Sequence, residues 1–209
     1  MIEKKLLVGR YLRVPPLNLN TKSYTTGEFV TQTYRPYTIQ QSTGGGLFSG
    51  PKTSDVVAGT GAKLHRNFQW LEYVAGAITE VDLHQGDVLT GPMSGCAIRV
   101  YRRGGVVRVG HVGTHDTDPV KTAASKKSWG DFARANQGDL ISGFNPMRDW
   151  TGAFPTLKEG TKEGKLELFA LVTTTQDLFT MAAALQSDAV SYRIAEIQQA
   201  TPSQNLVVV

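Results

Sequence analysis

The sequence has a single cysteine, Cys96, in 209 residues. An intramolecular disulfide is therefore excluded, and so is a four-cysteine zinc site. Long apolar runs are missing as well. None approaches the roughly 18 residues that a membrane-spanning helix needs. Within Met1–Arg10 the longest is Leu6-Leu7-Val8, against about 7–15 residues in a secretory signal peptide. Synthesis and folding in a reducing cytosol, without a cleavable signal, is the expectation. Charge of neither sign dominates: Lys+Arg number 22 and Asp+Glu 18, for a net charge of +4. Hydrophobic residues make up 40% and charged residues 19%, so intrinsic disorder is not expected. The length fits one domain with a core that needs no disulfide or metal.

What is present reads mostly as strand and turn. Residues 1–64 are rich in Thr, Tyr, Gly and Pro, and Glu28–Tyr34 alternates β-formers with polar residues. Gly44-Gly45-Gly46 and Gly50-Pro51 mark a long loop. Residues 67–90 suit two short strands around a turn. The clearest unit follows: Ala97-Ile98-Arg99-Val100-Tyr101-Arg102 runs into Arg103-Gly104-Gly105, and Val106-Val107-Arg108-Val109 returns. Two glycines between β-formers predict a hairpin, because primed turns need positive φ. Beyond it, residues 113–165 read as loops with a short helix near Ser128–Asn136, and Leu166–Val172 as a buried strand. Thr174-Thr175-Gln176-Asp177 has the pattern of a capping box and predicts a helix of roughly twenty residues. Strands first and a long helix late predict a single α+β domain over residues 1–209. Its core would be a sheet or β-sandwich with peripheral helices, and residues 1–25 would be a flexible lead-in.

The hairpin places the one thiol near a histidine. Cys96 begins its first strand and His111 ends its second. With a two-residue Gly104-Gly105 loop, Arg103 pairs with Val106 and Cys96 lies opposite Gly113. His111 is then its diagonal neighbour on the same face, about 7–8 Å away between Cβ atoms. A four-residue loop would put the two directly opposite, and a three-residue loop would send them to opposite faces. A free thiol has a pKa of about 8.5, so at neutral pH it needs a base to become a nucleophile. Gly91-Pro92-Met93-Ser94-Gly95 is a small-residue approach that lets backbone N–H groups come near a reacting carbonyl. The plain alternative is that Cys96 is a small buried hydrophobe.

At these residues the chain resembles the cytotoxic necrotizing factor family of glutamine deamidases. Met93-Ser94-Gly95-Cys96 followed by His111-Val112-Gly113-Thr114 is similar to that family's Leu-Ser-Gly-Cys, strand, turn and His-Thr-Gly-Thr. The related Burkholderia lethal factor has a threonine six residues before its cysteine, as Thr90 stands here. The chemotaxis receptor deamidases share the wider fold and a Cys–His pair. The resemblance covers about residues 90–114, with Met93 for Leu and Val112 for Thr as departures. The group that orients the family's histidine has no counterpart identifiable in the sequence.

The resemblance implies a cofactor-independent cysteine hydrolase. Cys96 would attack a glutamine side-chain amide on a target protein and His111 would act as base and acid. The Cys96 N–H, with Ser94, Gly95 and Thr90, would support the oxyanion or the turn. It further implies a bacterial toxin or effector, delivered to a host cell cytosol by a specialised secretion route. A Rho-type GTPase or a translation factor would be the target. A monomer is expected, with no nucleic-acid partner and no membrane span; transglutamination could compete with hydrolysis.

Two other readings are weighed. Arg99, Arg102, Arg103 and Arg108 cluster on the hairpin, and Lys4, Lys5, Arg10, Arg13 and Lys22 face only Glu3 in the first 22 residues. Such a basic face suits a non-catalytic module for nucleic acid or an acidic partner. His111, His115 and Asp118 could instead hold a metal for a hydrolase, although Val112 stands where a His-Glu pair would need Glu. A phosphate loop at residues 45–53 is rejected, because Pro51 removes a backbone donor. His65, His84, Trp70, Trp129 and Trp150 read as ordinary surface or core residues.

Overall fold

The computed structural model describes residues 2, 6, 8–14, 24–41, 53–115, 117–155 and 164–209. In chain order the strands are β1 (Tyr11–Arg13), β2 (Phe29–Thr31), β3 (Pro36–Gln41), β4 (Thr53–Ala58), β5 (Asn67–Leu71) and β6 (Ile78–Asp82). They continue with β7 (Val88–Met93), β8 (Ala97–Arg103) and β9 (Val106–Val112), then helix α1 (Pro119–Ala135). The last four are β10 (Leu140–Phe144), β11 (Leu166–Val172), β12 (Leu178–Leu185) and β13 (Ser191–Gln199). Eight strands close a barrel in the order β1-β13-β12-β11-β7-β5-β3-β4, and a five-stranded sheet runs β10-β8-β9-β6-β2.

Alternation of side chains explains how the two layers join. Along β11, Phe169 and Leu171 point into the barrel with Phe68, Trp70, Leu89 and Met181. Leu168, Ala170 and Val172 point outward, where they meet Cys96, Ile98, Val100 and Val109 of the second sheet. The wall strands β5, β7, β11 and β12 therefore bury both faces, and β11 and β12 accordingly read as mostly apolar runs. On the far side of the second sheet, Ala97, Tyr101 and Val112 pack against Trp129 and Ala133 of α1. The second sheet is thus a middle layer between barrel and helix.

The β8–β9 hairpin has the two-residue turn. Arg103 pairs with Val106, and Gly104 and Gly105 have φ of 63° and 76°, values that side chains with a Cβ resist. Leu166–Val172 forms a strand with the predicted limits.

Several expectations are corrected. The domain is mostly β, with one helix of more than three residues among the described residues, so α+β holds only in its broad sense. The helix expected after Thr174 is instead the β12–β13 hairpin. Thr173 and Asp177 tie a tight turn there: the Asp177 N–H donates to Thr173 Oγ1 at 3.0 Å and the Thr173 N–H to the Asp177 carbonyl at 3.0 Å. Oxygen-bearing side chains that could cap a helix serve equally well in a turn. Helix α1 starts at Pro119, nine residues before the expected Ser128. Asp118 caps it by accepting from the N–H groups of Val120 and Lys121, both at 3.0 Å, with proline at the first position. Within the supposed lead-in, Tyr11–Arg13 pairs with both β13 and β4, and Leu12 is buried in the barrel. The glycine-rich loop at residues 44–51 lies outside the described residues.

Candidate functional site

The chain leaves the barrel at the end of β7 and enters the second sheet at β8, and Ser94-Gly95-Cys96 is the crossing. The β8–β9 ladder runs to Ala97 opposite Val112, with Ile98 opposite His111. Cys96 therefore stands one step beyond the ladder, across from Gly113, on the same face as His111. That face looks toward the barrel. Gly113 is required here: a Cβ would fall 2.3 Å from the Val74 carbonyl oxygen and 3.0 Å from that of Ala77.

Thr90 of β7 projects from the outer barrel wall toward this face. Its hydroxyl lies 2.8 Å from His111 Nδ1, and the Tyr73 ring lies 5.3 Å from the imidazole, centroid to centroid. His111 Nε2 is buried without a hydrogen-bond partner. Burial alone pushes the imidazole pKa down to about 3, because a charged ring would have no water and no counter-charge. His111 is therefore neutral at physiological pH, and no Cys96 to Nε2 hydrogen bond is formed.

Cys96 is 3% exposed and lies at the wall of a pocket of about 300 Å³. Tyr73, Pro92, Met93, Phe154, Leu166 and Leu168 give it apolar sides, and Lys165 and Glu167 bring charge to one end. Thr114 approaches the sulfur twice: its N–H donates to Sγ at 3.4 Å, and its Oγ1 lies 3.4 Å from Sγ. The Tyr73 hydroxyl donates to the Thr114 carbonyl. Asn145, just beyond β10, donates from Nδ2 to the Gly95 carbonyl at 3.4 Å. Its Oδ1 accepts from the N–H groups of Met147 at 3.1 Å and Arg148 at 2.9 Å.

Cys96, His111 and Thr90 are thus brought together, and Ser94 and Gly95 form the crossing. Ser94 is exposed and lines the pocket. Thr90 was expected beside the oxyanion or the turn; its hydroxyl meets the imidazole instead. Tyr73, Thr114 and Asn145 were missed as site residues. Thr114 was in view within the His111–Thr114 motif, but Tyr73 and Asn145 come from the segments that follow β5 and β10, and no spacing pattern marks them.

The metal set is not assembled. Asp118 caps α1, His115 Nδ1 accepts from the Thr117 N–H at 3.3 Å, and His111 meets Thr90. Among the described residues no three His, Cys, Asp or Glu side chains gather as ligands. The basic hairpin is largely turned inward. Arg99 is fully buried and donates to the carbonyls of Ile98 at 3.0 Å, Phe144 at 3.3 Å and Val208 at 2.7 Å. Arg103 and Arg108 both pair with the buried carboxylate of Glu80, at 2.5 and 3.5 Å. Arg102 alone of the four is exposed. Lys4, Lys5 and Lys22 lie outside the described residues, as does most of the 45–53 segment. His65 and His84 are exposed, whereas Trp70 and Trp129 are core residues.

No helix among the described residues is long and apolar enough to cross a membrane. Compared with known protein families, with curated proteins and with solved structures, the chain matches none of them.

Proposed function

We propose that this chain is a cysteine-dependent protein glutamine deamidase, converting a glutamine side chain and water into glutamate and ammonia. One observation carries the reading. The only thiol of the chain opens on a pocket, on the same sheet face as a buried neutral imidazole whose Nδ1 is held by Thr90 and whose Nε2 has no partner. Most buried polar atoms are satisfied, because an unpaired one costs about 1–3 kcal/mol. Such a cost is common where a group must receive a proton during reaction.

In the proposed reaction the Cys96 proton passes to His111 Nε2 as Sγ attacks the amide carbon. The resulting imidazolium returns that proton to the departing nitrogen, and the carbon–nitrogen bond breaks to release ammonia. Water then gives a proton to Nε2 and attacks the thioester; the carbon–sulfur bond breaks and the thiol is restored. No cofactor is required. The resemblance at residues 90–114 supports a protein substrate, a Rho-type GTPase or a translation factor, and an effector role inside a host cell. The apolar pocket walls support a substrate side chain entering beside hydrophobic neighbours. The basic-module reading gains nothing from a hairpin whose arginines are mostly taken up internally.

The test is a comparison of wild type and Cys96→Ala in a host-cell lysate, read by peptide mass spectrometry for glutamine-to-glutamate conversion. Site-specific conversion with wild type alone is expected. Equal conversion with both proteins would contradict the reading.

A further inference from the structure

We propose that Thr114 is a catalytic residue of this site: its backbone N–H and its hydroxyl form a donor pair that holds the Cys96 sulfur as a thiolate. The inference rests on the reading of Cys96 as nucleophile. Its own basis is geometric. The N–H already donates to Sγ, and Oγ1 stands at the same 3.4 Å distance, within ordinary range for sulfur. While the sulfur is a thiol, either partner of the Oγ1–Sγ contact can donate. Once the sulfur loses its proton it can only accept, so the hydroxyl turns to donate and both Thr114 groups serve the charge.

The donor pair is held in place from three directions. Tyr73 donates to the Thr114 carbonyl, and the Gly113 N–H donates to the Ala77 carbonyl at 2.9 Å. Ser125 of α1 donates from Oγ to the Gly113 carbonyl at 2.7 Å. Segment 113–114 is thereby fixed against both the β5–β6 connection and the helix, which is what preorganised stabilisation of a developing charge requires.

A second observation makes such donors necessary. His111 is fully buried and its Nε2 is unpartnered, so in the resting protein no imidazolium stands ready to balance a thiolate. Among the described residues, the other titratable groups that line the pocket are Tyr73 beyond β5 and, at the β11 end, Lys165 and Glu167. An anion in these surroundings needs hydrogen-bond donors. During the reaction the proton goes from Sγ to Nε2 while the Thr114 N–H and hydroxyl take up the charge left on sulfur. They give it up again as the carbon–sulfur bond forms.

The experiment is a pH titration of the ultraviolet thiolate absorbance of wild type, Thr114→Val and Thr114→Ser, each measured against its own Cys96→Ser counterpart. Valine keeps the shape and removes the hydroxyl; serine keeps the hydroxyl. The expected result is a Thr114→Val midpoint about one pH unit higher, a tenfold loss of thiolate below it. Thr114→Ser should stay near wild type. Thr114→Ala replaces the valine variant if circular dichroism shows that variant unfolded. Coincident midpoints for wild type and the hydroxyl-less variant would overturn the proposal, while leaving the deamidase reading intact if glutamine conversion still requires Cys96. A shifted midpoint without any Cys96-dependent conversion would overturn the catalytic role together with that reading.

Discussion

Burial has opposite consequences for the two reacting side chains. It disfavours a charged imidazole, which keeps His111 neutral. It equally disfavours a charged sulfur, which is why Thr114 matters. Thr90 settles the orientation of the ring by occupying Nδ1. This directs the basic role to Nε2 when the Thr90 oxygen accepts the Nδ1 proton. Thr90→Val should preserve the packing and slow glutamine conversion by about tenfold to a hundredfold, the loss expected when a hydrogen bond to a charged intermediate is removed. The rate, measured well below a melting temperature that the unpaired Nδ1 should lower, checks it; an unaltered rate would remove Thr90 from the mechanism. The hairpin that carries Cys96 and His111 was legible in the sequence from its two glycines, but its loop length was left open and is fixed by the pairing of Arg103 with Val106. The partner of Nδ1 was not legible, since Thr90 lies on another sheet.

The hairpin β8–β9 is the element on which the site is built, and its two faces have different tasks. The face toward the barrel carries Cys96 and His111. The opposite face carries Tyr101, whose hydroxyl donates to Glu80 Oε2 at 2.6 Å. Glu80 of β6 is fully buried and also accepts from Thr31 Oγ1 at 2.6 Å and from Arg103. Desolvation raises its pKa, but the hydrogen bonds from Arg103, Thr31 and Tyr101 outweigh it and leave a net lowering. Glu80→Ala strands Arg108 and the buried Tyr101 hydroxyl, and should cost about 3–5 kcal/mol in denaturant unfolding. A loss below 1 kcal/mol would mean that this cluster does not hold the sheet together. Gly113→Ala should cost about 1–3 kcal/mol by overpacking against the Val74 carbonyl, and should displace Thr114 as well. The hairpin could be read from the sequence because its signals are local. The β11–β12 turn was misread because Thr and Asp near an apolar run specify a cap or a turn equally well. Only pairing with β11 and β13 decides between them.

At the scale of the whole molecule, the fold depends on pairings that no local pattern announces. The barrel closes when β1 near the start joins β13 and β4, and β5 runs parallel to β7 across the β6 connection. What the sequence did show was the two-faced burial of β11, as a run of apolar residues. The seam between barrel and second sheet, which holds the site, is a product of the closed topology. Its pH behaviour belongs to this scale. His111 binds its proton far less readily folded than unfolded, its pKa falling from 6.5 to about 3. The unfolded chain therefore takes up more protons between those values, and stability should fall as pH drops from about 6.5 toward 3. The depressed carboxyl of Glu80 adds to the loss once pH falls through the carboxylate range. Melting temperatures across this interval should decline less steeply in His111→Asn than in wild type; parallel curves would place the acid sensitivity elsewhere.

The central claim, that His111 activates Cys96, is tested most directly by the pH dependence of Cys96 alkylation with iodoacetamide in wild type and His111→Ala. The lone cysteine makes the signal unambiguous, and no substrate need be known. The account predicts faster alkylation of wild type than of His111→Ala at neutral pH, because Nε2 takes the thiol proton as the sulfur attacks. Identical profiles in the two proteins would contradict it, and would leave Cys96 a structural thiol at the seam of the fold.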